Sequence, residues 1–243
     1  MKRILALGWA ETKQLFRNPL LASMLPWPIA IAVFMVAVVD GPSGIFLAAG
    51  AFILINLSFI VYYSALSMIT TRRDERVLMR LRTGEARDWE ILTASAFPLA
   101  ALTVLLTPLT VVAVDVFADA PLPAHPLYMV VSILFGIPMS FGLALLTSRF
   151  TKNAEAAMIT SFPVLMVTML SMPGGLRELV GTLPGAAATI FGWNPFALAT
   201  DLFIEGWLGG TVESPLLSVV LLAAWTVVLP WAGIRWMRWD THR

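Results

Sequence analysis

The sequence predicts an all-α integral membrane protein: six transmembrane helices, an N-terminal interfacial amphipathic helix, and short external helices between spans five and six. Three observations predict it. Of 243 residues, 58% are hydrophobic and only 13% charged, with a mean hydropathy of +0.83, about half the usual charge of a soluble domain. Six uncharged apolar runs approach or exceed the roughly 20 residues that cross about 30 Å of hydrocarbon. The cations gather on one side of those runs, as they do on the cytoplasmic side of membrane proteins. The length suits one membrane domain, 1–243, and the absence of cysteine leaves neither a disulfide framework nor a Cys-based metal site.

The first element, residues 1–18, begins with a basic pair but lacks the apolar core and cleavage site of a signal peptide. At 100° per residue, Ile4, Leu5, Trp9, Leu15 and Phe16 share one arc, while Lys2, Arg3, Lys13 and Arg17 share the other. The pattern predicts a helix lying in the interface, with Trp9 at headgroup depth and basic residues toward anionic lipid. Pro19 ends it.

The spans follow at Leu20–Val39, Ile45–Ile69, Ile91–Val114, Leu127–Thr147, Ala156–Met172 and Leu216–Ile234. Prolines fall inside several of them, which bundled membrane helices tolerate because neighbours satisfy the freed carbonyls. With both termini inside, only Arg177 of the sixteen basic residues lies outside. A seventh crossing at Ala186–Ile204 would put Arg235, Arg238 and Arg243 outside, and Asn194, Pro195 and Asp201 interrupt it. That segment is therefore read as short external or re-entrant helices within 173–214, with Pro-Gly-Gly at 173–175 as a hinge.

Between spans two and three lies the densest charge in the chain, the loop 72–90, with six arginines and five acids. The pattern predicts a helix over Arg73–Leu81, with Val77, Leu78 and Leu81 on one face and Arg72, Arg76 and Arg80 on another, stopped at Gly84. Arginines that merely enforced topology would not call for Asp74, Glu75, Glu85, Asp88 and Glu90 beside them. The mixture predicts an ordered docking surface, and the interleaved acids disfavour nucleic acid.

Several chemistries are absent. Two histidines, His125 and His242, cannot build a multi-His metal site. Neither the G-x-S-x-G elbow nor the G-x-x-x-x-G-K-[ST] loop occurs, so ATP has no P-loop here. Two alternatives remain: an intramembrane enzyme acting on lipid through Asp40 and Asp115, and a non-transporting scaffold subunit.

The run RRDERVLMRLRTGEARDWEILTASAFP resembles the first intracellular loop of ABC-2 type transporter permeases. The later GWNPFALATDLFIEGWLGG is similar to the N-P-[FL]-x-x-A-x-[DE] segment before their last span. With the interfacial helix and six-span plan, the resemblance covers the whole chain, and it is nearest to multidrug and antibiotic exporters of the daunorubicin-permease kind. It implies a bacterial cytoplasmic membrane, a second permease copy, and a separate ABC ATP-binding subunit that holds the ATP and Mg, so no cofactor belongs to this chain. It implies that the loop is a coupling helix, with Val77, Leu78 and Leu81 as an apolar plug, Arg73, Arg76 and Arg80 as salt-bridge donors, and Asp74 and Glu75 beside them. A second contact comes from Glu11, Lys13 and Arg17, and another from 149–155. Spans two and five would line the substrate path, through Asn56, Ser58, Tyr62 and Ser64 and through Met158, Phe162, Met166, Met169 and Met172. The absence of buried charge in these spans suits an apolar or amphiphilic substrate.

Overall fold

The computed structural model describes residue 23 and residues 25–82, 88–174, 176–182 and 184–239, without the side chains of 81, 82, 176 and 179. Trp9, Glu11, Lys13, Arg17 and Gly84 lie outside the described residues, as does the Leu81 side chain. Every regular element among the described residues is a helix. In order they are α1 (Trp27–Val38), α2 (Gly41–Asp74), α3 (Val77–Arg82), α4 (Asp88–Ala118), α5 (Pro126–Ser148), α6 (Ala157–Leu170), α7 (Leu176–Gly181), α8 (Gly185–Gly192), α9 (Pro195–Leu208) and α10 (Pro215–Trp236).

Four of these, α2, α4, α5 and α10, are long and apolar enough to cross a membrane, while α1 and α6 are shorter apolar helices. The 34 residues of α2 rise about 50 Å, so it outruns the hydrocarbon, and it is also the most enclosed of the four. Its middle, Asn56–Tyr63, is wound as a π-helix. Ser64 Oγ there donates to Phe59 O, five residues back, at 2.9 Å.

The segment over 186–204, read as short helices rather than a seventh crossing, divides at Trp193–Asn194 into α8 and α9. The break has a local cause. Asn194 caps α9 by accepting from the Ala197 amide at 3.0 Å, and Pro195 occupies the first turn, where its missing N–H costs nothing. α9 runs antiparallel to α5: the His125 amide donates to Gly206 O at 2.9 Å, and Ser132 Oγ to Ala199 O at 2.6 Å. α10 runs parallel to α5, with Thr226 Oγ1 donating to Phe135 O at 2.9 Å. Trp225 Nε1 donates to Trp193 O at 3.0 Å. The α8–α9 turn therefore sits level with a point ten residues into α10, about 15 Å from its Pro215 end.

The core gathers around α2 and α9. Phe52 and Phe203 lie 5.5 Å apart, and Phe203 meets Trp207 at 6.4 Å. α5 and α10 approach most closely at two glycines. A Cβ on Gly142 would fall against the Pro230 backbone, and one on Gly233 would come within 2.5 Å of Gly142 O. Small residues at such a crossing let backbones pack where apolar burial alone drives nothing together.

The charged loop departs from the expected single helix over Arg73–Leu81. α2 continues to Asp74, the chain turns at Glu75–Arg76 with Arg76 at φ 58°, and α3 restarts at Val77. A non-glycine residue in that region costs about 1–3 kcal/mol and persists only where its surroundings fix it. What fixes it is the anchoring of the residues just before it.

Candidate functional site

Arg72 and Arg73 turn inward rather than outward. Arg72 Nη1 donates to Ser95 Oγ on α4 at 2.6 Å. Arg73, 2% exposed, donates to the carbonyls of Ser148 at 2.9 Å, Thr151 at 2.6 Å and Lys152 at 3.2 Å. A helix leaves its last carbonyls without partners and carries partial negative charge there. Arg73 thus caps the end of α5 and the turn beyond it, which explains why a full cation is held in a buried position.

The neighbouring residues extend this junction. Asp74 Oδ2 accepts from the Ala154 amide at 2.8 Å, and Asn153 Oδ1 accepts from the Ala156 amide at 2.9 Å, immediately before α6. Thr151 Oγ1 lies 2.8 Å from Thr160 Oγ1 on α6 itself. Arg149 Nη1 reaches Trp236 O on α10 at 3.3 Å. The end of α2 is thus tied directly to α4, to the end of α5 and to the loop before α6, and residues 149–151 in turn reach α10 and α6.

Of the residues expected to meet a partner, the structure turns some outward and others in. Asp74, Glu75, Arg76 and Arg80 are exposed, as is Met79. Val77 is half-buried. Two expectations are corrected. Arg73 is spent on α5 rather than offered as a salt-bridge donor, and Leu78, 2% exposed, plugs this chain's own core. The turn at Arg76 also breaks the four-residue repeat that placed Arg72, Arg76 and Arg80 on one face.

The expected path residues are not brought together. Asn56 and Tyr62 are fully enclosed among this chain's own helices. Asn56 Oδ1 accepts from Thr103 Oγ1 on α4 at 2.8 Å, its Nδ2 has no partner among the described residues, and Tyr62 Oη donates to Thr147 Oγ1 at 3.3 Å. On α6, by contrast, Phe162 is 58% and Met166 43% exposed, beside exposed Met158 and Ile159, while Met169 is half-buried. Asn56 and Tyr62 serve interhelical contacts, Ser58 and Ser64 bond back to carbonyls of α2 itself, and the apolar face of α6 stands open.

Two further groups went unnoticed in the sequence. Arg177, the one cation expected outside, forms a two-pronged pair with Asp201 at 2.5 and 2.6 Å, joining α7 to α9. Glu205 receives four hydrogen bonds, from the amides of Gly210, Thr211 and Val212 and from Thr211 Oγ1, at 2.7–3.0 Å. Burial pushes its pKa upward, but the bonds from Thr211, Gly210 and Val212 outweigh burial and hold it below the usual carboxylate range. The signal was the spacing of Glu205 from Gly209 and Gly210, both at positive φ, which lets the chain fold back onto the carboxylate.

Helices of this length and apolarity, joined by a tethered charged turn, define a multi-pass membrane protein. The chain belongs to the ABC-2 family: the model described as ABC-2 family transporter protein matches residues 10–235, a range that takes in the charged turn, the α8–α9 pair and nearly all of α10. Membership makes it the permease subunit of an ABC transporter, in a family that generally works with an ATP-binding subunit. No curated protein matches the sequence.

Proposed function

We propose that this permease is one half of an ATP-driven exporter for apolar or amphiphilic molecules, and that a separate ATP-binding chain docks on the exposed turn at Asp74–Arg80. The observation that carries this reading is the anchored turn itself. Its outer side offers Asp74, Glu75, Arg76, Met79 and Arg80, while its inner side is fixed to the ends of α2 and α5 by Arg73. A force applied there passes to α6 through Asp74, Ala154 and the Thr151–Thr160 contact. A flexible loop could hold a partner but could not transmit its motion.

In this reading α1 and α6 complete six spans, both termini are cytoplasmic, and α8 with α9 forms a re-entrant pair dipping from the outer face. The open apolar face of α6 suits a second copy of the chain, with substrate passing near that axis. The intramembrane-enzyme reading finds no support, since Asp40 and Asp115 are both exposed and acids at such positions are ordinarily solvated.

The test is the ATPase activity of the purified complex. Glu75→Arg and Met79→Asp each reduce stable association with the ATP-binding chain by about tenfold or more, the loss typical of an interface anchor, with the permease still folded. Unchanged association and activity in both variants would remove the turn as the docking site.

A further inference from the structure

The seam between α9 and α10 holds two cavities, one above the other, lined by a single face of α10. Nearest the Pro215 end is a cavity of 370 Å³ bordered by Arg177, Asp201, Glu213 and Ser214 together with Leu217 and Ser218 of α10. Deeper lies an apolar groove of 580 Å³, walled by Trp193 and Pro195 of the α8–α9 break and by Leu221, Ala224, Trp225 and Val228 of α10. At 100° per residue those six α10 positions fall within an arc of about 120°. The arc adjoins the exposed side of the helix at Val220, Val227 and Ile234, so the groove opens toward lipid. Across the seam, Asn194 and Asp201 are seven residues apart and share one face of α9. Polar head compartment and apolar channel are therefore in line, at the depths where an amphiphile carries its head and its chain.

The charge of the upper cavity narrows the occupant. Arg177 is the only cation among the described residues lining it, and Asp201 already neutralises it at 2.5 Å. Glu213, exposed, is left as the surplus charge, which favours an ammonium group. The hydroxyls of Ser214 and Ser218 offer donors to a phosphate beside it. The groove below is of the size class that encloses an extended apolar ligand, about 300–1,000 Å³, and is lined almost wholly by apolar side chains.

We propose that the α9–α10 seam binds an amine-bearing phospholipid of the phosphatidylethanolamine type, head at Glu213 and one acyl chain along Leu221 to Val228. The site lies on α10, apart from the open face of α6. It rests on the topology above only for the leaflet, which is the outer one.

The experiment uses the full chain in phosphatidylcholine vesicles with a trace of phosphatidylethanolamine carrying a photoreactive diazirine in its acyl chain, and a parallel preparation with the phosphatidylglycerol analogue. No ATP-binding subunit is present, so the result does not depend on the docking proposal. Labelled peptides should map to 190–195 and 221–228, with phosphatidylethanolamine favoured about fivefold, the ratio expected of one exposed ion pair. Glu213→Gln should abolish that preference while chain labelling stays at the same peptides. Ala224→Trp should remove labelling from 221–228, and Val228→Phe, a smaller change at an exposed position, should do the same if the first variant misfolds. Equal labelling by both lipids in the unaltered chain would overturn the proposal. So would labelling at 221–228 that neither groove variant changes, because ordinary boundary lipid would then explain it.

Discussion

Arg73 shows how one residue can serve two ends. Its guanidinium supplies donors to the carbonyls that end α5, and it anchors the chain three residues before the turn at Arg76. Arg73→Met leaves those acceptors buried without a donor, so thermal unfolding of the purified chain should show a loss of about 2–4 kcal/mol. Arg73→Lys should recover part of this, because an ammonium lacks the planar fork that reaches several carbonyls at once. Glu205 is the counterpart at the far end. Its folded pKa is lowered, so its stabilising contribution is present above the unfolded value of about 4.3 and disappears as pH falls through the folded one. Glu205→Gln should cost about 2 kcal/mol at neutral pH, and the gap from the unaltered chain should close as unfolding is followed to lower pH. Glu205 left a signal in its spacing from Gly209 and Gly210, but the role of Arg73 was not legible in the sequence. An arginine in a charged run looks the same whether it faces solvent or a helix end, and only the fold brings 148–152 beneath it.

At the scale of elements, the long apolar helices were readable because length and hydropathy determine them with little help from neighbours. Where packing decides, the sequence misled. The four-residue repeat of Arg72, Arg76 and Arg80 assumed an unbroken helix, and the chain turns at Arg76 instead. The break between α8 and α9 was legible, because Asn194 and Pro195 encode a helix start by their own chemistry. The α5–α10 crossing depended on pairing two distant glycines, which one sequence does not reveal. Gly142→Ala should force these helices apart and lower stability by about 1–3 kcal/mol in detergent unfolding, an overpacking penalty. Gly181→Ala, where an added Cβ meets nothing within 4 Å, should have almost no effect and serves as its control.

Across the whole molecule, the tethered turn lies at one end of the helices and the α8–α9 pair toward the other, with α2 and α5 running between. The chain contains no cysteine, so single cysteines can report on each end without background. Asn153→Cys and Glu75→Cys should react with an impermeant maleimide only after the membrane is opened, and Asp119→Cys and Glu213→Cys in intact cells. Docking of the ATP-binding chain at Asp74–Arg80 can be read by cross-linking from Met79→Cys in native membranes, with Glu213→Cys as the opposite-face control. A P-loop ATPase should be captured from position 79 and none from position 213. Capture of that ATPase from 213, or of none from 79 while it still copurifies with the permease, would contradict docking there.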